Sequence, residues 1–271
     1  MKQQSSIDSA KERVPSFSAR YELFVKRLEN ESASLSTIVN YGYNLALICF
    51  AHGRLSEEIT SEEYTENYNV LLKRKSSGSH MKHAVYAVRK YFKLFGLPCP
   101  LAANPRIPTT KLLPVVLSQR EMVELLRVLS DIKEKALIGL GYDTGMRKSE
   151  LLSLCLCDLD FDRGVIHIRY GKGHKDRYVP FSVNMRSVML DFLNAYRPVE
   201  YVFEREKRKP MGEAWPSRIL SSAIERTSIV KHINCHVLRH TYATHMLEHG
   251  MDIRHIQKWL GTKNSRLRPA I

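Results

Sequence analysis

The sequence predicts a mainly α protein of two domains, with a small antiparallel β-sheet in the second. Three observations lead there. Apolar residues recur at helical spacing in segment after segment. Five prolines, Pro98, Pro100, Pro105, Pro108 and Pro114, crowd one stretch, where a helix cannot continue and the residue before each ring is driven to extended backbone. Gly164 to Tyr170 alternates apolar and polar as a strand does, and a turn holding Gly171 and Gly173 follows it.

The elements follow in chain order. Residues 1–15 are polar and read as a loose lead. Ser16 to Glu29 places Phe17, Tyr21, Phe24, Val25 and Leu28 at helical spacing. A second helix runs to Phe50, capped by Ser36, with Gly53 past its end. An acidic helix is predicted from Ser61 to Lys73, then a basic turn, then a helix from Ser79 to Phe95. That last helix carries Val85, Val88, Tyr91, Phe92 and Phe95 as its stripe and Lys82, His83, Arg89, Lys90 and Lys93 on its other faces. Residues 16–96 thus form a helical module whose cations suit a phosphate backbone, and residues 97–117 form the Pro-rich linker. Residues 118–271 open with Ser118 and Glu121, the spacing of a capping box. Helices are predicted for Gln119 to Leu129, Lys133 to Tyr142 and Arg147 to Leu154. The hairpin Gly164 to Pro180 comes next. Four helices close the chain: Asn184 to Tyr196, Trp215 to Arg226, His236 to Glu248 and Ile253 to Leu260.

Composition narrows the partners. The 271 residues carry 42 Lys and Arg against 28 Asp and Glu, a net charge of +14. Such a balance points to a polyanion, with nucleic acid ahead of an anionic membrane surface. No segment has the ~18 consecutive apolar residues of a membrane-spanning helix. The N-terminus lacks the apolar core of a signal peptide, so the expected location is the cytoplasm. Five cysteines, Cys49, Cys99, Cys155, Cys157 and Cys235, form no zinc or CxxC pattern. His245 and His249, like His236 and His240, are spaced i,i+4 as zinc ligands can be, but no HExxH glutamate or third ligand accompanies them. No metal or other cofactor is expected.

Cations gather at three structured places in the second domain. Arg147 follows the buried helix in Thr144-Gly145-Met146-Arg147, with Lys148 and Glu150 behind it. Lys172 stands at a glycine-flanked hairpin tip, with His174 and Lys175 beside it. His236 and Arg239 are three apart, hence on one helical face. A planar, permanently charged guanidinium suits a phosphate oxyanion, and an imidazole suits proton transfer.

With these segments in order, the sequence resembles the tyrosine recombinase, or phage integrase, family over nearly its whole length. TGMRKSELLSL resembles the family's first arginine box, GKGHKDRYVP its β-hairpin lysine box, HVLRHTYATHMLEHG its His-x-x-Arg box and DIRHIQKWLG its next helix. The resemblance implies a helical core-binding domain and a catalytic domain forming a C-shaped clamp on double-stranded DNA, with tetramers as the working assembly. It also implies phosphoryl transfer without metal or nucleotide, serving integration or excision of a mobile element. Arg147 and Arg239 would clamp the non-bridging oxygens, Lys172 would protonate the leaving 5′ oxygen, and His236 would move a proton at the nucleophile. Glu150 would orient the site, and Lys148, His174 and Lys175 would meet DNA, as would the cations of residues 82–93.

Two departures stand out. The family usually has histidine after Trp-Leu-Gly, and this sequence has Thr262. The family's nucleophilic tyrosine should come about nine residues later, but the last tyrosine here is Tyr242, at an aromatic packing position. The expectation is a truncated or frameshifted recombinase, inactive for want of its nucleophile. Leu267-Arg268 fits the frameshift, since codons ACT-ACG for the family's Thr-Thr read one base later begin CTA-CG. The alternatives are a catalysis-free DNA-binding regulator or architectural protein, and a generic helical DNA-binding protein.

Overall fold

A computed structural model describes residues 2–73, 78–101, 113–171 and 175–262. The chain forms two compact units, Met1–Leu112 and Leu113–Ile271.

The described part of the first unit is helical: α1 (Lys2–Arg13), α2 (Phe17–Asn30), α3 (Leu35–His52), α4 (Ser61–Lys73) and α5 (Gly78–Phe95). The loose lead expected for residues 1–15 is instead a helix. Ile7, Ala10 and Val14 are buried and continue to Phe17 with spacings of three and four, an apolar stripe too sparse to stand out among polar neighbours. The cap of α3 is Ser34, whose hydroxyl accepts from the Thr37 amide, and not Ser36. Phe24, Leu28, Leu45, Cys49, Val88, Tyr91 and Phe92 share the core with α1. Arg20 ties α2 to α5: its Nε donates to the Tyr91 hydroxyl (2.8 Å), and its guanidinium lies 3.9 Å from the Phe95 ring centre.

In the second unit come α6 (Gln119–Val128), α7 (Ile132–Thr144), α8 (Lys148–Leu152), β1 (Leu159–Asp160), β2 (Val165–Gly171), β3 (Lys175–Pro180), α9 (Val183–Tyr196), β4 (Glu204–Glu206), β5 (Lys209–Pro210), α10 (Trp215–Ile224), α11 (Cys235–Glu248) and α12 (Ile253–Leu260). The Ser118 capping box closes in both directions: the hydroxyl accepts from the Glu121 amide (3.2 Å), and Glu121 accepts from the Ser118 amide (2.7 Å). Helix α7 is central. Ala136 to Gly141 are all buried, and α9 and α11 pack on it. The helix expected for Arg147 to Leu154 is only the short α8; Arg147 keeps extended backbone and precedes it.

Strands β1, β2 and β3 form an antiparallel sheet in that order. Its register sets Ile166 opposite Val179 and Ile168 opposite Arg177. Side chains of a strand alternate between faces, so Arg177 shares the face of buried Val179, while Tyr178 points the other way and is 53 % exposed. The sequence reading omitted β1, β4 and β5. Each has only two or three residues, and β4–β5 is largely charged and exposed, leaving no alternation to detect. Among the described residues, no helix is long and apolar enough to cross a membrane.

Candidate phosphate-binding site

The site begins where α7 stops. Gly145 caps α7 with φ +60°, in the left-handed region. A Cβ there would lie 2.5 Å from a Tyr242 ring carbon and 2.7 Å from a Leu260 methyl. Glycine therefore serves twice, turning the chain and letting its backbone approach α11 and α12. The turn aims the Gly145 carbonyl at Arg239, whose Nη1 donates to it at 2.7 Å.

Arg239 is 7 % exposed and lies on the buried face of α11. Its Nη2 donates to the Leu260 carbonyl at 2.6 Å. Burial, reinforced by repulsion from Arg147, pushes its pKa down to about 10. Arg147, on the turn before α8, donates from Nη1 to Glu150 (2.7 Å) and from Nη2 to the Gly261 carbonyl (3.1 Å). Two arginines thus sit on adjacent carbonyls at the C-terminal end of α12, where unpaired carbonyls and the helix dipole favour positive charge.

A third arginine completes the set. Arg177 of β3 donates from Nε to the Trp259 carbonyl (2.6 Å) and grips both Glu150 oxygens, Nη1 to Oε1 at 2.9 Å and Nη2 to Oε2 at 2.7 Å. The Glu150 carboxylate also accepts from the Arg147 amide (2.9 Å). Burial opposes its ionisation, but the hydrogen bonds from Arg177 and the Arg147 amide outweigh that and hold its pKa below the usual carboxylate range.

His236 opens the first turn of α11 and is exposed on one side. Partial desolvation, then the charges of Arg239 and Arg147, hold its pKa below the ordinary histidine value. The ring is therefore neutral near pH 7 and able to accept a proton. His240 packs edge-on to it, ring centres 4.9 Å apart, and its pKa is lowered by burial and by His236.

The described structure brings together Arg147, Glu150, His236 and Arg239. Thr262 follows Gly261 directly, and its amide donates to the Gln257 carbonyl (3.1 Å). Lys172 and His174 lie outside the described residues, and only the backbone of Lys175 is described, opposite Gly171. Lys148 donates to Glu213, both to its carboxylate (3.2 Å) and to its carbonyl (3.3 Å). On α5, His83 and Lys93 are exposed and Lys82 is half-buried. Lys90 pairs with Glu31, and Arg89 donates to the Leu101 carbonyl (3.2 Å). At the end of α11, His245 Nδ1 shares a hydrogen bond with the Tyr142 hydroxyl (2.8 Å), and His249 Nδ1 meets the His245 carbonyl (2.6 Å).

Sequence reasoning passed over Arg177 and the carbonyls of residues 259–261. For Arg177 a signal existed: a cation two residues from Val179, on the strand face that alternation assigns to the core. For the carbonyls none did, because backbone acceptors have no sequence signature.

Comparison with known proteins shows what the chain is similar to. A protein-family model described as the phage integrase family matches residues 115–267. Tyrosine recombinase XerA of Pyrococcus furiosus is 34 % identical over 251 residues, 89 % of this chain and 84 % of that protein. Tyrosine recombinase XerC of Bacillus subtilis is 32 % identical over 220 residues, 74 % of this chain and 70 % of that protein. A crystal structure of XerA recombinase matches with a TM-score of 0.53 at 28 % identity, over 91 % of this chain and 90 % of that one. A lambda integrase tetramer bound to a Holliday junction shares the fold, with a TM-score of 0.76 at 17 % identity over 92 % of this chain and 76 % of that one.

Proposed function

This chain belongs to the phage integrase family, the tyrosine recombinases, and on that premise we propose that it binds duplex DNA at a specific site and clamps one backbone phosphate for strand exchange. Site-specific recombination is the activity of the family. One observation carries the reading for this chain: Arg147 and Arg239 sit on the neighbouring carbonyls of Gly261 and Leu260, with His236 close enough for both charges to depress its pKa. Two guanidiniums held side by side match the non-bridging oxygens of a phosphodiester and the charge that grows on them in the transition state. The neutral His236 handles the proton of the attacking group, and Lys172 supplies one to the leaving 5′ oxygen. The exposed cations of α5, with Lys148, His174 and Lys175, grip flanking phosphates. Integration or excision of a mobile element is the proposed setting, with assembly into oligomers on DNA.

The attacking tyrosine is a separate matter. Tyr242 is 3 % exposed and packed beneath Gly145, and burial, with Asp143 nearby, pushes its pKa up to about 12. Tyr178 faces away from Arg177, stacked on His167. Neither Tyr242 nor Tyr178 is therefore placed to attack a phosphate held by Arg147 and Arg239. This observation also favours a second reading, a catalysis-free DNA-binding regulator.

The test is selection of a duplex from a random pool, followed by a nicked suicide version of the selected site. Salt-sensitive, site-specific binding without a covalent adduct is expected. An adduct would show that a tyrosine among these residues attacks. Arg147→Ala and Arg239→Ala binding as wild type does would remove the phosphate clamp altogether. Reading the gene past codon 271 in all three frames separates strand transferase from regulator: a continuation resembling Ile-Tyr-Thr supports the first, and its absence in every frame supports the second.

The depressed pKa of His236 has a pH consequence. Bound phosphate neutralises the arginine charges that disfavour its protonation, so its pKa rises on binding. The bound form then takes up a proton more readily, and by linkage affinity strengthens as pH falls and weakens as pH rises through the bound-state pKa. NMR titration of the His236 ring with and without DNA checks this; an equal or lower pKa in the complex contradicts it. His236→Gln should flatten the pH dependence of binding.

A further inference from the structure

We infer that Arg177 is a positioning residue for the phosphate clamp: by joining Glu150 to the end of α12, it fixes where Arg147 presents its charge beside Arg239. The inference rests on the phosphate-clamp reading above. Arg177 is not itself arranged to take an anion. Each of its three nitrogens donates within the protein, two to Glu150 and one to the Trp259 carbonyl, and its side chain is 9 % exposed.

Its partners are the ones that hold the clamp. Trp259, Leu260 and Gly261 are consecutive, and their carbonyls accept from Arg177, Arg239 and Arg147 in turn. Glu150 is shared between Arg177 and Arg147, so its charge is divided between two guanidiniums. Without Arg177, the whole carboxylate charge falls to Arg147, which pairs with Glu150 and competes less well for phosphate. Gly261 shows how closely the parts fit: at φ +58°, a Cβ there would stand 3.2 Å from Arg177 Nη1. A buried ion pair is a weak way to stabilise a fold, since desolvation cancels much of the attraction. What the fork of Arg177 adds is direction: two parallel bonds to one carboxylate and a third to a helix end.

Lysine keeps the charge and loses the fork, so Arg177→Lys is the discriminating variant. The probe is inorganic phosphate, titrated into protein with 15N-labelled arginine, and the readout is the Nε–Hε signals of Arg147 and Arg239. In the wild type both signals should shift with phosphate. In Arg177→Lys the Arg147 signal should already be displaced without ligand, and phosphate affinity should fall about tenfold, the loss expected when one charge-assisted hydrogen bond is misplaced. Its thermal melt shows whether the protein stays folded. An unchanged Arg147 signal with unchanged affinity overturns the proposal, as does a loss that merely follows the unfolded fraction. If Arg177→Lys does not fold, Arg177→Gln removes the fork and leaves the whole Glu150 charge to Arg147: a displaced Arg147 signal with lost phosphate affinity supports the role, and an unmoved Arg147 signal overturns it. Failure of the underlying reading looks different: the wild type itself then shows no phosphate-dependent shift at either arginine.

Discussion

Arg239→Ala is expected to weaken duplex binding by about ten- to a hundredfold, the worth of a hydrogen-bonded charge removed from its partner. The loss should be uniform across sequences, because binding to a phosphate carries no base information. The dependence of log affinity on log salt should become shallower by about 0.9, the signature of one phosphate no longer neutralised by the protein. Stability falls as well. The guanidinium satisfies the carbonyls of Gly145 and Leu260 in a buried setting, and each carbonyl left without a donor costs about 1–3 kcal/mol. In a unit of this size that lowers the melting temperature by several degrees, about 2–4 °C per kcal/mol. The salt slope distinguishes the two effects, since unfolding alone lowers the competent fraction without changing the slope of what still binds. Arg239→Lys sharpens the point. A single ammonium cannot span both carbonyls, so the charge returns while the anchoring does not. An Arg239→Ala protein that is fully folded and keeps the wild-type salt slope would show that Arg239 is a structural cation and not a phosphate ligand.

Much of this site was legible because its chemistry lies in side chains at recognisable spacing. His236 and Arg239 share a helical face, and Arg147 follows a helix that ends in Thr144-Gly145; both readings needed only periodicity and turn chemistry. The family resemblance supplied roles that spacing alone could not. Legibility stopped where tertiary structure decides. Nothing local shows that Arg239 is buried, because α11 alternates polar and apolar residues round its whole circumference and only its docking on α7 and α12 selects the inner face. Arg177 differs in that alternation does assign it to the inner face with Val179; what no local pattern gives is the pair of acceptors, Glu150 and the Trp259 carbonyl, that makes an inward cation tolerable there. Helix α1 escaped notice because its stripe has few members, and β4–β5 because two charged strands of two or three residues have no period. The fold class survived these omissions, since it depends on the long periodic helices and on one hairpin.

Gly145→Ala is the second substitution with a large expected effect, and it tests whether the approach of α7 to α11 and α12 is itself part of the site. Two costs combine. A non-glycine residue in the left-handed region costs about 1–2 kcal/mol. A methyl group 2.5 Å from Tyr242 and 2.7 Å from Leu260 must push side chains that are already buried, and overpacking of this kind costs about 1–3 kcal/mol. Gly53→Ala is the internal control: its φ is +64°, but nothing lies within 4 Å of the added methyl, so only the backbone cost applies. Chemical denaturation should therefore show Gly145→Ala losing clearly more stability than Gly53→Ala. The methyl also displaces the carbonyl that anchors Arg239 and the Leu260 side chain beside Arg239's second anchor, so phosphate affinity should fall even in the fraction that remains folded. Replacing Tyr242 by alanine in the Gly145→Ala background should return part of the loss, because the two side chains compete for one volume and their effects cannot add. Strict additivity of the two substitutions would mean that steric conflict with Tyr242 is not what requires glycine at this turn.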